Sequence, residues 1–370
     1  MSNLSGVFNS IQKCLFPELE EEIGELSERM KEFVRVVEVA NLPEHMAEFN
    51  WQGMGCPPCS RMSIFKAFIM KAVYNYPTTK AMIENVKLSP PLRRLCGWET
   101  VCEIPHESTF CRAFAQFAKT ELPQKIHAEI VKTQIGKERI TGHVSRDSTA
   151  IEAREKAIVK EEKPINTTTC AHKKRGRPKK GEIREEIPLD PKRMDLQKAR
   201  SLEENLFDVP KACDWGAKRD SKGKNMTWKG YKLHIDTIDG DIPVSAVLSS
   251  ASLHDSQLAI PLMQMTTERL TYLYDIMDSA YDASPIHEFS RSQNHVPIID
   301  HNPRRGKKRE FEPAKKIRYN ERTAAERVNS DLKDNHGGKT VRVKGSDKVF
   351  AHLMFGIITI TVSQLFNMLC

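Results

Sequence analysis

The feature that most limits the fold is a change of texture near residue 135. Before it, apolar residues recur at spacings of three and four; after it they gather in short runs rich in Val, Ile and Tyr. In the first half, Glu18 to Val39 carries an apolar stripe of Leu19, Ile23, Leu26, Met30, Phe33 and Val37. Ser63 to Asn75 does the same through Ile64, Phe65, Phe68, Ile69, Ala72 and Val73. Shorter helical pieces are predicted at Thr79 to Asn85 and Pro91 to Leu95, and Ser108-Thr109 opens a helix running through Phe110, Phe114 and Phe117 to Lys119. Residues 1–134 therefore read as an all-helical N-terminal domain, similar to a compact DNA-binding or dimerisation module. Periodicity alone favours an ordinary helical bundle.

The second half, residues 135–370, reads as α/β. Strands are predicted at Arg139 to Ile151, Tyr231 to Ile238, Val244 to Ser249, Tyr272 to Met277 and Val296 to Ile299. Helices are predicted at Gln257 to Thr271 and Thr323 to Asn335. With the first three strands preceding any helix that packs on them, the order implies a mixed sheet with flanking helices. Residues 155–227 interrupt this pattern. They are dense in Lys, Arg, Glu and Pro and poor in large apolar residues, so an extended or disordered basic insertion is expected there.

Charge points to the partner. The chain has 370 residues and a formal net charge of +8, which suits an acidic partner, nucleic acid above all. Met1 to Glu22 lack the basic start and apolar run of a secretory signal, and nine cysteines in such a chain read as reduced, scattered thiols. A cytoplasmic protein is expected. Val349 to Cys370 contains no Lys, Arg, Asp or Glu and is long enough to span a bilayer, but His352, Thr359, Thr361, Ser363, Gln364 and Asn367 interrupt it. A buried C-terminal helix, with no membrane partner, is the expected reading.

The strongest local pattern is Tyr319-Asn-Glu-Arg322-Thr-Ala-Ala-Glu326-Arg-Val-Asn-Ser-Asp-Leu-Lys333. At 100° per residue, Tyr319, Arg322, Glu326 and Lys333 fall within about 60° of one another on a helix, with Ala325, Val328 and Leu332 behind. Glu on a metal ion with Arg and Lys on a DNA backbone would use such a row. A solvated face with an Arg322–Glu326 pair at i, i+4 fits the geometry equally. Two further acids stand where a metal site would need them. Asp147 lies in Val144-Ser-Arg-Asp147-Ser-Thr on the first strand, and Asp278 follows the apolar strand ending at Met277. Acids at the carboxyl edge of an α/β sheet lie where ligand sites form, and three of them, all hard oxygen donors, suit a pair of Mg2+ ions.

These residues carry a resemblance. Tyr319, Arg322, Glu326 and Lys333 match in full the Y-x2-R-x3-E-x6-K signature of DDE transposases of bacterial insertion sequences, the insertion-sequence-four-like group. Asp278-Ser-Ala-Tyr281-Asp282 resembles that family's second-aspartate motif, and Asp147 in Arg-Asp-Ser-Thr resembles the first. Gly230-Tyr-Lys-Leu-His234 through Ala251-Ser-Leu-His254-Asp255-Ser256 is similar to its second and third strands, and Met62 to Phe117 to its helical N-terminal domain. The resemblance implies an RNase H-like sheet on which Asp147, Asp278 and Glu326 are catalytic and hold two Mg2+ ions, with Mn2+ able to substitute. It also implies that Tyr319, Arg322 and Lys333 contact DNA near the scissile phosphate. Cleavage of element ends and strand transfer into target DNA follow as the expected activity, with terminal inverted repeats and target duplex as partners and a homodimer on DNA. The alternative is a catalytically inactive DNA-binding relic or regulator.

Other motifs carry smaller expectations. Arg175-Gly176-Arg177-Pro178, within a run of lysines, resembles an AT-hook, whose Gly lets both arginines lie along a narrow minor groove; a basic solvated linker is its plain alternative. Arg304, Arg305, Lys307, Lys308 and Arg309 are expected to track phosphate. Cys56-Pro-Pro-Cys59 lacks the strand context of a redox motif and the second cysteine pair of a zinc site. His254 reads either as a neighbour of the metals or as structural.

Overall fold

The computed structural model describes residues 2–49, 51, 53, 57–138, 140–159, 191–219, 223–303 and 306–369. The Arg175–Pro178 motif, Cys56, Arg304 and Arg305 lie outside the described residues.

The amino-terminal part is helical. α1 (Ser2–Ser10) runs through a π-helical turn into α2 (Phe16–Ile23), followed by α3 (Glu28–Val39), α4 (Leu42–His45), α5 (Arg61–Val73) and α6 (Thr79–Leu88). α7 (Pro90–Cys96), α8 (Glu107–Lys119) and α9 (Leu122–Gln134) complete it. The ends of α7 show why the chain folds this way locally. The Ser89 hydroxyl accepts from the Leu92 amide, Pro90 occupies the first turn where no amide is needed, and Gly97 takes a left-handed φ of 92° to close the helix.

The sheet follows. β1 (Ile140–Glu152) lies between β3 (Asn225–Ile238), antiparallel to it, and β5 (Thr271–Met277), parallel to it. β4 (Ile242–Ser250) pairs antiparallel with β3, and β6 (Val296–Ile299) pairs parallel with β5. Helices α12 (Ala259–Arg269) and α13 (Ser284–Ser292) connect the later strands. α14 (Pro313–Tyr319) passes through a 3-10 turn at Asn320–Arg322 into α15 (Thr323–Asn335), and α16 (Ser346–Asn367) ends the chain. This is the mixed sheet with flanking helices expected of an RNase H-like fold, and the five strands read from the sequence are present.

The insertion corrects the sequence reading. Its described carboxyl-terminal part is folded: it forms α10 (Arg193–Gln197), α11 (Leu202–Phe207) and a sixth strand, β2 (Asp214–Arg219). Few large apolar residues are needed because the segment borrows partners. Asn205 Nδ2 donates to the Gln197 carbonyl at 3.0 Å and to Gln264 Oε1 at 2.9 Å, while Leu202 and Leu206 pack against a cluster containing Val247, Leu258 and Leu262.

α16 is long and apolar enough to cross a membrane, yet it lies buried in the core between the sheet and the N-terminal helices. Its hydroxyls are satisfied there. Thr361 Oγ1 donates to the Pro243 carbonyl at 3.2 Å, and Thr359 Oγ1 donates to the Phe355 carbonyl at 3.0 Å. Phe355 meets Phe65 of α5 at 4.8 Å and Phe68 at 5.7 Å between ring centroids, so the core runs unbroken across residue 135. The change in secondary structure therefore does not divide the core. Phe355→Ala is expected to cost about 3–5 kcal/mol, with the helical and α/β parts unfolding in one transition during urea denaturation followed by fluorescence and circular dichroism.

Candidate active site

Register brings the two aspartates together. The parallel pairing of β1 with β5 ends at Arg146 opposite Met277, so the next residue on each strand is an aspartate: Asp147 and Asp278. Neighbouring strands run about 4.8 Å apart. Asp147 is not at the end of its strand, since β1 continues to Glu152; it sits where β5 stops and leaves that flank open. Asp278 caps a short 3-10 turn, its Oδ1 accepting from the Ala280 amide at 2.9 Å.

A buried ion network beneath these acids fixes the three strands. Arg146, fully buried, donates from Nε to Asp236 Oδ1 at 2.8 Å and from Nη2 to Asp236 Oδ2 at 2.6 Å. Its Nη1 lies 3.6 Å from Asp275 Oδ1 on β5. Thr266 donates to Asp236 at 2.7 Å, and Tyr272 and Ser290 donate to Asp275 at 3.0 and 2.6 Å. The network thus joins β1, β3 and β5 next to Asp147 and Asp278.

α15 lies across β1 on the other side, with Ala325, Val328 and Leu332 buried as the apolar back predicted and Ala324 buried beside them. Ser145 Oγ donates to the Glu321 carbonyl at 3.0 Å, and Asn329 Nδ2 donates to Asp147 Oδ2 at 3.1 Å. Glu326 is one helical turn before Asn329, on a neighbouring face, and is ion-paired with Arg322. The i, i+4 pair read as the plain alternative is therefore formed. Arg322 also lies over the Tyr319 ring at 5.9 Å, and Tyr319 packs on Phe311 at 4.8 Å.

The electrostatics mark a place short of positive charge. The Asp147 carboxyl is pushed up to about 6, chiefly by burial; a hydrogen bond from the Ser148 amide opposes this, the Asp278 charge adds to it, and Lys218 and Arg322 offset a smaller part. Asp278 is raised too, chiefly by burial. Burial pushes the Tyr319 phenol up to about 12, so it stays protonated as a donor. Lys333, half-buried, has its ammonium lowered by burial and by Lys218.

Residues that sequence reasoning passed over complete the site. Asp255 stands close enough to raise the Asp278 carboxyl, and Lys232 Nζ grips its Oδ1 at 2.9 Å. Burial opposes ionisation of Asp255, but His234, Lys232 and a bond from Ser148 outweigh it and hold it below the usual range. The signal was the His254-Asp255 pair, of which only the histidine drew attention. His254 itself is exposed and caps a 3-10 turn, accepting from the Ser256 amide at 3.3 Å, which is a structural role. Tyr281, 1% exposed, has a hydroxyl with no hydrogen-bond partner among the described residues, and feels the charges of Asp255, Asp147 and Asp278.

Among the described residues no three His, Cys, Asp or Glu side chains gather closely enough to hold an ion. The chemistry of the donors nonetheless fits a hard divalent cation. Asp147 and Asp278 offer carboxylate oxygens side by side in a partly buried place that disfavours their charge, and Tyr281 holds an orphan hydroxyl near them. Glu326, which the sequence pattern grouped with these acids, is ion-paired with Arg322 and half-exposed. Elsewhere the basic cluster after β6 is partly neutralised, Lys308 pairing with Asp300 at 2.8 Å. Cys59 is a free, exposed thiol.

The chain matches the family model described as "Transposase DDE domain" over residues 147–362. It belongs to the DDE transposase family. The match begins at Asp147 itself and takes in Asp278, Glu326 and Lys333. A second model, "Transposase domain (DUF772)", matches residues 17–116 of this transposase, within the N-terminal helices. No curated protein and no solved structure matches the chain.

Proposed function

We propose that this transposase cuts the ends of its DNA element and joins them to target DNA through Asp147, Asp278 and Glu326, with two Mg2+ ions, replaceable by Mn2+. The observation that carries this reading is the register that sets Asp147 beside Asp278, with α15 tied to Asp147 through Asn329. Bound there, divalent ions would supply Lewis-acid polarisation of the phosphate and activation of the attacking oxygen.

The protein's own residues do the rest. Asp147 and Asp278 hold the cation site at the edge where β5 ends. Arg322 and Lys333 offer positive charge to the phosphates on either side, and Tyr319 donates its phenolic proton to a phosphate oxygen. Its raised pKa of about 12 makes it a poor nucleophile, in keeping with direct attack by water or by a DNA hydroxyl. Hydrolysis breaks the bond between phosphorus and the bridging 3′ oxygen and frees a 3′-hydroxyl. That hydroxyl then attacks a target phosphodiester, whose own 3′ oxygen leaves with a proton. When a phosphate takes Arg322, Glu326 is released toward the two aspartates. Joining two ends of one element calls for a homodimer on DNA.

A pre-cut duplex ending in a free 3′-hydroxyl tests the second step. With Mg2+ it should join to a plasmid, and Glu326→Gln should lower joining by about three orders of magnitude, roughly 4 kcal/mol. Equal joining by both proteins would remove Glu326 from the site.

A further inference from the structure

The sixth strand creates a feature for which the site so far has no use. β3 runs past the end of β1: residues 230–238 pair with β1, while residues 225–230 pair with β2 in a two-stranded ribbon. The crossing point is Gly230, at a φ of 154°, where a Cβ would stand 2.1 Å from the Ile151 carbonyl oxygen. Beyond it, among the described residues, no layer covers most of the ribbon's length. Trp215 is 60% exposed and Met226 58%, and Ala217, Lys218 and Thr227 are exposed as well. Exposed apolar side chains on an otherwise polar edge strand are a liability unless something covers them.

The root of the ribbon is firm. Trp228 lies across the backbone of Gly216, where a Cβ would meet its ring at 2.5 Å, and its Nε1 donates to the Tyr231 carbonyl at 3.1 Å. Lys232, which also grips Asp255, stands 5.9 Å from the Trp228 ring centroid. The ribbon is thus tied to the site by its base, while Ala217, Lys218, Met226 and Thr227 farther out are exposed.

Its two faces differ. Alternation along the strands puts Lys218 opposite Met226 on one face, and Trp215 opposite Lys229, with Ala217 opposite Thr227, on the other. Lys218 favours the charged form of Asp147 and Asp278 and disfavours that of Lys333, so its ammonium lies within electrostatic reach of the acids. A basic, two-stranded finger with an indole and a threonine methyl on one face matches the size and chemistry of a duplex major groove, which admits such a ribbon.

Resting on the transposase reading above, we propose that the β2–β3 ribbon is a DNA-reading finger. Its Trp215 face enters the major groove of the duplex next to the cut site, and Lys218 grips a phosphate beside the reacting one. The partner is double-stranded DNA rather than a second protein, because the finger carries lysine on both faces and projects next to the site that must hold the DNA.

Fluorescence anisotropy with the full-length protein tests this. The probes are a duplex carrying the inverted repeat that flanks the gene and a scrambled duplex of equal length, each titrated at several NaCl concentrations. Lys218→Ala should weaken both duplexes alike and reduce the salt slope by about one. Trp215→Ala should weaken the repeat duplex by about tenfold and the scrambled duplex much less. Both side chains are exposed, so thermal melts should match wild type. Wild-type binding by both variants at every salt concentration would overturn the finger while leaving the transposase reading intact. A change in oligomeric state with unchanged DNA binding would also overturn it. Absence of salt-dependent binding by the wild type would bring down the transposase reading, and the finger with it.

Discussion

Asp147→Asn should make the metal-free protein more stable while removing its cutting activity. The folded Asp147 carboxyl titrates at about 6, above its ordinary 3.8, so the native state binds more protons than the unfolded chain between those values. Wild-type stability therefore falls as pH rises through that window, and the loss persists at neutral pH. Asn carries no charge to desolvate, and its amide oxygen can still accept from Asn329, whose Nδ2 lies 3.1 Å from Asp147 Oδ2. The gain is expected on the order of 2 kcal/mol at pH 7.5 and near zero below pH 4. Mg2+ should reverse the order. It requires the ionised carboxylate, so it should raise the wild-type melting temperature at pH 8, have little effect at pH 5 and leave Asp147→Asn unmoved. Differential scanning fluorimetry across pH, with and without Mg2+, measures all of this; a variant less stable than wild type at pH 7.5 would show that Asp147 is structural. Stability given up at one residue for the sake of chemistry is a common mark of a functional site.

The second large effect is Arg146→Met. The substitution keeps apolar bulk but leaves Asp236 and Asp275 buried without their cation. Removing one partner of such a network costs about 3–5 kcal/mol, enough to unfold a marginally stable protein. The pH dependence follows from the acids. Burial already raises the Asp236 carboxyl, whereas His295 first, and then Arg146 and Ser290, hold Asp275 low against its own burial. Without Arg146 both acids should take up protons, so the variant should recover stability relative to wild type as pH falls from 8 toward 5. Urea denaturation at the two pH values reads this out. A loss independent of pH would mean that packing, and not charge, is what Arg146 supplies. Because the network ties β1, β3 and β5 directly behind Asp147 and Asp278, a folded fraction of this variant should also cut DNA poorly.

The sequence revealed much of this site, and for identifiable reasons. Strand runs such as Tyr272 to Met277 stand out because β-branched and aromatic residues are bounded by turn residues. The back of α15 stands out because Ala325, Val328 and Leu332 repeat at helical spacing. β2 did not, because Asp-Trp-Gly-Ala-Lys-Arg has neither alternation nor β-branched residues and is a strand only through its pairing with β3. Asp255 was missed for a related reason. It lies in a turn after β4, and only tertiary packing brings it and Lys232 to the aspartates of two other strands. The Arg322–Glu326 pair was visible at i, i+4, but spacing alone does not distinguish a surface ion pair from a ligand held in reserve.

The most direct test of metal-dependent end cutting joins purified protein to a short duplex bearing the inverted repeats that flank the gene, in Mg2+, Mn2+ or EDTA, with Asp278→Asn beside the wild type. Nicked and joined products are expected with the wild type in either metal, none in EDTA, and a loss of about three orders of magnitude or more in Asp278→Asn despite equal DNA binding. Tight binding by both proteins with no cutting by either in any metal would contradict it, and would leave a DNA-binding relic of a transposase.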